Sequence, residues 1–420
     1  MALIRRPNHT RAETATLVRR VDALERLFYR YSDRNPVHFM LVAEFDVVLD
    51  EGAVRSALEL LSRRHPLLQV HVEDRPGDRL GFYRIDSPEP VPLRVVEEKN
   101  WQEVAAEEFV EPFDRSRAPL MRAVLLVDAT CSALVLTIDH TIGDGISTVM
   151  ALRDVLAVLN GETLPVLPVP PSQEVMLENV FGARQEWPVV APPDPDPRMH
   201  RPTSVREFEG TPTTIHSLAM PARDTAALLS RCRAERTTVH SAIVTAASRV
   251  RSRWGGEDFV RVLSPINFRS LIRADGEVAP YFSCVITGMA PRDGASFWDQ
   301  ARNVTAELAV ARSASGTLTA SAGVQQLIGV DADTTAAEEL FTRAIPFDLL
   351  ITNLGIQDLE GTGPLRPTAV WAPVLESQIT GSVVVGVTTY AGVLRMVACG
   401  YAPVQEFLDA VALTLVEESA

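Results

Sequence analysis

No stretch of this chain approaches the roughly 18 uninterrupted apolar residues that a membrane-spanning helix requires, so stable membrane insertion is not expected. The opening residues, Met1 to Asn8, lack the apolar core of a signal peptide, which points to the cytoplasm. Cysteine is scarce: Cys131, Cys232, Cys284 and Cys399 are scattered without the spacing of a zinc site or a disulfide framework, and buried, reduced thiols are expected. Basic residues are outnumbered, 40 against 54 acidic, and the formal charge of −14 argues against nucleic acid or an anionic membrane as a partner. A Gly-x-Ser-x-Gly elbow, a phosphate-binding loop, a dinucleotide fingerprint and a metal-spaced His/Cys cluster are all missing. The chemistry should therefore need no permanently bound cofactor and no metal.

What is present is apolar residue in quantity. At 46% hydrophobic over 420 residues, the chain can bury more than one core, and its length suits two domains of roughly 200 residues each. The periodic pattern lapses between Leu159 and Thr203, where the prolines of Leu164–Pro171 and Pro192–Pro197 remove backbone donors and favour extended geometry. An exposed crossover over 166–203 is predicted there, separating an N-terminal domain, 1–165, from a C-terminal domain, 204–420.

Both halves mix helix and strand. Leu17, Val21, Leu24, Leu27 and Phe28 recur at helical intervals within Glu13–Tyr31, and a strand follows over Val37–Val48. Asp50 can cap a helix that carries Val54, Leu58 and Leu61, and His65-Pro66 stops it. Leu67–Val72, Met121–Val127 and Ala133–Ile138 read as strands, Trp101–Phe109 as a helix, and a further helix follows Gly145. In the second half, Thr237 or Thr238 caps a helix over Val239–Trp254 that ends at Gly255-Gly256. Strands are predicted at Phe259–Leu263, Ser283–Thr287, Asp348–Thr352, Gly381–Tyr390 and Val393–Ala398, with helices at Phe297–Arg312 and Pro403–Glu417. This pattern indicates an α/β fold of the sandwich type.

The strand ending at Ile138 runs directly into His140 and a glycine-containing loop, Asp139-His140-Thr141-Ile142-Gly143-Asp144-Gly145, before the helix. A strand end can hold an imidazole rigidly at a cleft, and neutral histidine suits proton removal from a hydroxyl or amine at pH 7. His9, His38, His65, His71, His200, His216 and His240 have no comparable setting and read as structural or exposed. Asp144 lies four residues on, where the loop can turn its carboxylate away from the ring, so it needs donors or an opposite charge elsewhere. Arg269 is the candidate partner, since a guanidinium can grip a carboxylate bidentately and would tie the two halves together. Gly143 and Gly145 avoid side chains where these would obstruct substrate or strain the turn. Ser147 and Thr148 suit a helix start better than a nucleophilic role.

Taken together, these segments resemble the superfamily of condensation domains of nonribosomal peptide synthetases and the polyketide-associated acyltransferases. The His-His-x-x-x-Asp-Gly signature is met by Asp139-His140 through Asp144-Gly145. Supporting elements follow in order: Leu24-Glu25-Arg26-Leu27-Phe28, His65-Pro66-Leu67-Leu68, Pro112-Phe113-Asp114, Ala118-Pro119-Leu120-Met121-Arg122, Asn267-Phe268-Arg269 and Thr352-Asn353-Leu354-Gly355. The resemblance implies two chloramphenicol-acetyltransferase-like domains forming a V-shaped pseudo-dimer, with the site at their junction in a tunnel open on both faces. It also implies an acyl thioester donor, carried on phosphopantetheine of an acyl carrier protein or on CoA, and an alcohol or amine acceptor. His140 would be the base, Asp144 and Arg269 its structural support, and one chain would supply the interface that single-domain relatives make by trimerising, hence a monomer. An acidic carrier protein would need a local basic patch on this acidic chain. Asp139 replaces the first motif histidine and can alter the pocket's charge. The Asp-Phe-Gly-Trp-Gly sequence of the plant branch is absent.

The expected activity is acyl transfer in natural-product or lipid biosynthesis, and free-standing length favours ester formation or a single carrier. Asp139 and Asn353 are candidates for substrate or oxyanion contact, with a backbone amide near Gly145 as another donor. The alternatives are amide-forming condensation of two carrier-bound substrates and a catalytically silent domain that docks carriers.

Overall fold

The structure, a computed structural model, describes residues 15–75, 79–184, 187, 196–291, 294–359 and 362–420. In the first half, strand Ser132–Asp139 is buried along its whole length because it lies between His38–Phe45 and Met121–Val127 and is covered on both faces. Such a position favours a continuous apolar run, and the segment reads Ser-Ala-Leu-Val-Leu-Thr-Ile-Asp. On one face, helices Glu51–Arg64 and Gly145–Leu159 close a core containing Leu41, Leu58, Leu134, Leu136, Leu152 and Leu156. On the other, helix Trp101–Phe109 packs over Val42, Val124 and Val135.

The second half is built on a six-stranded sheet in the order Phe282–Met289, Val260–Asn267, Leu349–Gln357, Val383–Tyr390, Val393–Gly400, Thr214–Met220. Helices Val239–Gly255, Phe297–Arg312 and Val404–Ser419 bury Ile243, Trp298 and Leu408 with the sheet residues Val262, Ile351 and Val385. Thr238 caps the first of these helices, and Gly256 ends it in the left-handed conformation at φ 71°. The hairpin between the strands ending at Tyr390 and starting at Val393 turns through Ala391 and Gly392, both at positive φ, which matches the twist of its flanking strands.

Two features of this framework create the site. Strands Val260–Asn267 and Leu349–Gln357 pair in parallel only at Val262↔Leu349 and Leu263↔Leu350 and then part, leaving a gap between their C-terminal ends. Strand Ala369–Leu375, although late in the sequence, runs antiparallel to His38–Phe45 at the edge of the first sheet and stitches the halves together.

The structure corrects several sequence expectations. Glu13–Tyr31 is not one helix: Thr16–Arg20 pairs as a strand with Arg79–Arg84, and the helix starts only at Ala23. Its start is set by Glu25, which accepts from the amide of Asp22 in a capping-box arrangement. Leu67 and Leu68 lie in the short 3-10 turn Pro66–Gln69, because Pro66 fixes a turn-compatible φ, and the strand begins at His71. The crossover is not wholly exposed, since it contains helix Gln173–Phe181, capped by Ser172 and anchored by the fully buried Leu177. Most of Pro192–Pro197 and all of Met1–Asn8 lie outside the described residues. Pro265 does not end its strand at Leu263. Only the antiparallel neighbour still flanks the strand there, so the missing donor leaves no ladder bond unmade.

Candidate active site

His140 stands where the most deeply buried strand of the first sheet ends. Its amide donates to the carbonyl of Val37, and the amide of Ile142 to that of Asp139, so the chain turns at once toward the helix Gly145–Leu159. Three phenylalanines enclose the ring. Phe28 stacks on it with centroids 3.9 Å apart and planes within 4°, while Phe39 and Phe282 lie at 4.7 and 5.4 Å. Burial in this jacket pushes the pKa down to about 4, against the charge of Asp144 and the nearby backbone at His140 and Gly143. The imidazole is therefore neutral at pH 7. Its Nδ1 is buried and meets no hydrogen-bond partner among the described residues.

Asp144 turns away from the ring. Its Oδ2 accepts from Arg269 Nη1 at 2.7 Å and from the Tyr281 amide at 2.9 Å. Its Oδ1 accepts from Arg269 Nη2, the Ser147 amide and Ser147 Oγ, each at 2.9 Å. Burial alone would raise this carboxyl; the Arg269 charge and these donors overcome it and hold the carboxyl below its ordinary range. Arg269 also donates to the carbonyl of Ala279 at 2.6 Å, and both members of the ion pair are buried. Ser147 completes the N-terminal cap of the helix Gly145–Leu159, which is the role its position suggested. The pair joins the first half to the second across 125 residues of sequence.

Two cavities meet at His140. One, of about 100 Å³, is lined by Gly145, Asn267, Thr352, Asn353 and Pro373. The other, of about 70 Å³, is lined by Phe28, Tyr31, Val37, Phe347 and Glu376. His140, Pro265, Phe282 and Leu375 belong to both, so the imidazole lies on the boundary between them. The gap between the parted strands supplies Pro265 and Asn267 from one side and Thr352 and Asn353 from the other. A Cβ on Gly145 would lie 2.7 Å from Leu354 Cδ2, so any side chain here would require Leu354 to shift.

The remaining candidates divide. Asn353 faces the larger of these two cavities, with its Oδ1 accepting from the Gly355 amide at 2.7 Å. Asp139 lines neither cavity. Strand alternation sends its side chain to the opposite face from His140, where it accepts from the Thr141 amide at 2.9 Å. Burial raises its pKa, opposed by Arg115 and by the hydrogen bonding of Thr141. Sequence reasoning did not single out Phe28, Phe39, Phe282, Pro373 or Leu375 as site residues. Each carries the signal of an ordinary core position, and apolar periodicity cannot tell a cavity wall from a filled core.

The condensation-domain family model matches residues 26–180. Among curated relatives, surfactin synthase subunit 2 of Bacillus subtilis (strain 168) is 34% identical over 119 residues, 28% of this chain and 3% of that protein. Phosphinothricin tripeptide synthetase PhsC of Streptomyces viridochromogenes is 30% identical over 273 residues, 59% of this chain and 25% of that protein. The chain thus spans a quarter or less of the length of these two relatives. Among solved structures, polyketide synthase associated protein 5 from Mycobacterium tuberculosis superposes with a TM-score of 0.71 at 16% identity, covering 97% of this chain and 99% of that one. The first condensation domain of the calcium-dependent antibiotic synthetase, solved with a substrate analogue, gives 0.69 at 15% identity over 96% and 98%. The first half of the chain thus matches the condensation-domain model, and the two mixed α/β halves share the V-shaped, chloramphenicol-acetyltransferase-like pseudo-dimer fold of these solved structures. Among the described residues, no helix is long and apolar enough to cross a membrane.

Proposed function

We propose that this chain is an acyltransferase that moves an acyl group from a thioester, on a carrier-protein phosphopantetheine or on CoA, to an alcohol or amine. The observation that carries this reading is one neutral imidazole on the boundary of two cavities, which lets donor and acceptor approach it separately. His140 takes the proton from the acceptor as its oxygen or nitrogen attacks the thioester carbonyl. The tetrahedral intermediate then collapses, the carbon–sulfur bond breaks, and the thiolate leaves with the proton returned by His140. A thiol of pKa about 8.5 needs little acid assistance, so base action matters most for hydroxyl acceptors.

Asp144 and Arg269 hold the loop rather than handle protons. Their neutralised pair fixes the start of the helix, and the Asp144 charge still favours the imidazolium that forms during attack. The amide at Gly145 and the side chain of Asn353 are the oxyanion donors in this reading, because both residues line the cavity that also contains His140. The resemblance to peptide-synthetase condensation domains favours amide formation as a second reading. Incubation with a panel of acyl thioesters, with and without alcohol or amine acceptors, tests both. Acceptor-dependent thiol release with a product of the combined mass supports transfer, and the acceptor used separates ester from amide. Intact thioester with every acceptor would contradict it and favour a carrier-docking domain without catalysis.

A further inference from the structure

A third cavity lies behind the phenylalanine jacket, bounded by helices Ala23–Tyr31 and Ala314–Leu327, the segment Leu340–Ala344 and strand Phe282–Met289. At about 240 Å³ it exceeds either cavity beside His140. Among the described residues its wall contains no charged side chain, and Gln173, Ser283 and Ser321 are the polar residues there. Phe28, Phe282, Cys284 and Phe341 line both this chamber and the smaller cavity at His140, so the chamber begins one aromatic ring from the imidazole. Leu327, half exposed, marks its outer end.

The helix forming one wall is built to keep the space open. Ala320, Gly323 and Val324 share a face at helical spacing and all line the chamber. Gly323 lies within that helix, where glycine is disfavoured relative to alanine, and among the described residues nothing lies within 4 Å of the position a Cβ would take. Close packing therefore does not demand this glycine, and a side chain here would extend into open space. An apolar cavity of roughly 150 Å³ binds benzene, so this one has room for a longer hydrocarbon.

We propose that the chamber receives the hydrocarbon tail of the acyl group, which makes uncharged aliphatic acyl thioesters of medium length the preferred donors. This inference rests on the acyl-transfer reading. The acyl carbonyl must lie near the polar groups Asn353 and Gly145, and a tail attached to it can pass His140 beside Phe28 and Phe282 into a space with nothing to match an amine or carboxylate. With a fixed acceptor, kcat/KM should rise roughly threefold to fourfold for each methylene buried, until the chamber is full.

The test compares straight-chain donors from acetyl to decanoyl with wild type and Gly323→Leu. Leucine is the better helix former, so the variant should fold, and its thermal midpoint checks this. Filling the chamber should lower the decanoyl-to-acetyl ratio of kcat/KM at least tenfold. An unchanged donor profile overturns the chamber assignment while leaving acyl transfer intact, and so does a shift that follows the acceptor's chain length instead. Calorimetric binding of the S-decyl and S-methyl thioethers of pantetheine decides the matter without turnover. Selective loss of S-decyl binding in Gly323→Leu is expected, and equal affinity of both proteins for it contradicts the proposal. Absence of transfer from every donor would count against the acyltransferase reading, not against the chamber.

Discussion

A histidine enclosed by Phe28, Phe39 and Phe282 gives up basicity to stay neutral. Desolvation disfavours the imidazolium, so the ring remains unprotonated down to about pH 4, well below the ordinary value of 6.5. If the neutral ring is the working form, kcat/KM should be flat from about pH 5.5 to 7 and fall only as the pH drops through about 4 to 5. A falling limb centred near 6.5 would contradict this, and stopped-time assays across that range would reveal it. The same depression has a consequence for stability. Between about pH 6.5 and 4 the unfolded chain binds a proton here that the native state does not, so stability declines as the pH falls through that window. Circular dichroism at each pH separates loss of the base from loss of the fold. His140 and Asp144 were legible in the sequence because a strand runs straight into a glycine-bounded loop. The aromatic jacket was not, because Phe39 and Phe282 look like any strand residue facing a core.

At the scale of elements, the site exists because two neighbouring strands separate and a third crosses between halves. The strand Ala369–Leu375 escaped sequence reasoning since Pro373 argues against a strand, yet at a sheet edge, with a register shift between Trp371 and Val374, a proline is tolerated. The parting of Val260–Asn267 from Leu349–Gln357 was also invisible, because it depends on pairing rather than on pattern. By contrast, Trp101–Phe109 and Phe297–Arg312 span the residues expected from the sequence pattern, and in the structure Asn100 and Ser296 cap their starts. The element most exposed to a single change is the helix Gly145–Leu159, whose first turn depends on Asp144 and hence on Arg269. Replacing Arg269 by alanine leaves a buried carboxylate without its counter-charge and should cost about 3–5 kcal/mol in urea denaturation. The double variant Asp144→Asn/Arg269→Ala should lose less than the sum of the two single changes. A loss below about 1 kcal/mol for Arg269→Ala would show that the pair does not hold the loop.

Taken as a whole, the molecule brings residues of two sheets to one point. His140, Phe28 and Phe39 come from the first half, and Phe282, Asn353 and Pro265 from the second, so neither half alone contains the site. The proline-rich interruption after Leu159 and the resemblance carried by the ordered motifs made the two-part architecture readable from the sequence. The size and chemistry of the spaces around His140 were not readable, because they arise only where the halves meet. The most direct measurement is acceptor-dependent release of free thiol from an acyl thioester by wild type and His140→Ala, both shown to be folded by their thermal transitions. At least a hundredfold loss of that rate is predicted for the variant, in line with removal of a general base. Turnover within a few-fold of wild type in a folded His140→Ala protein would contradict the account.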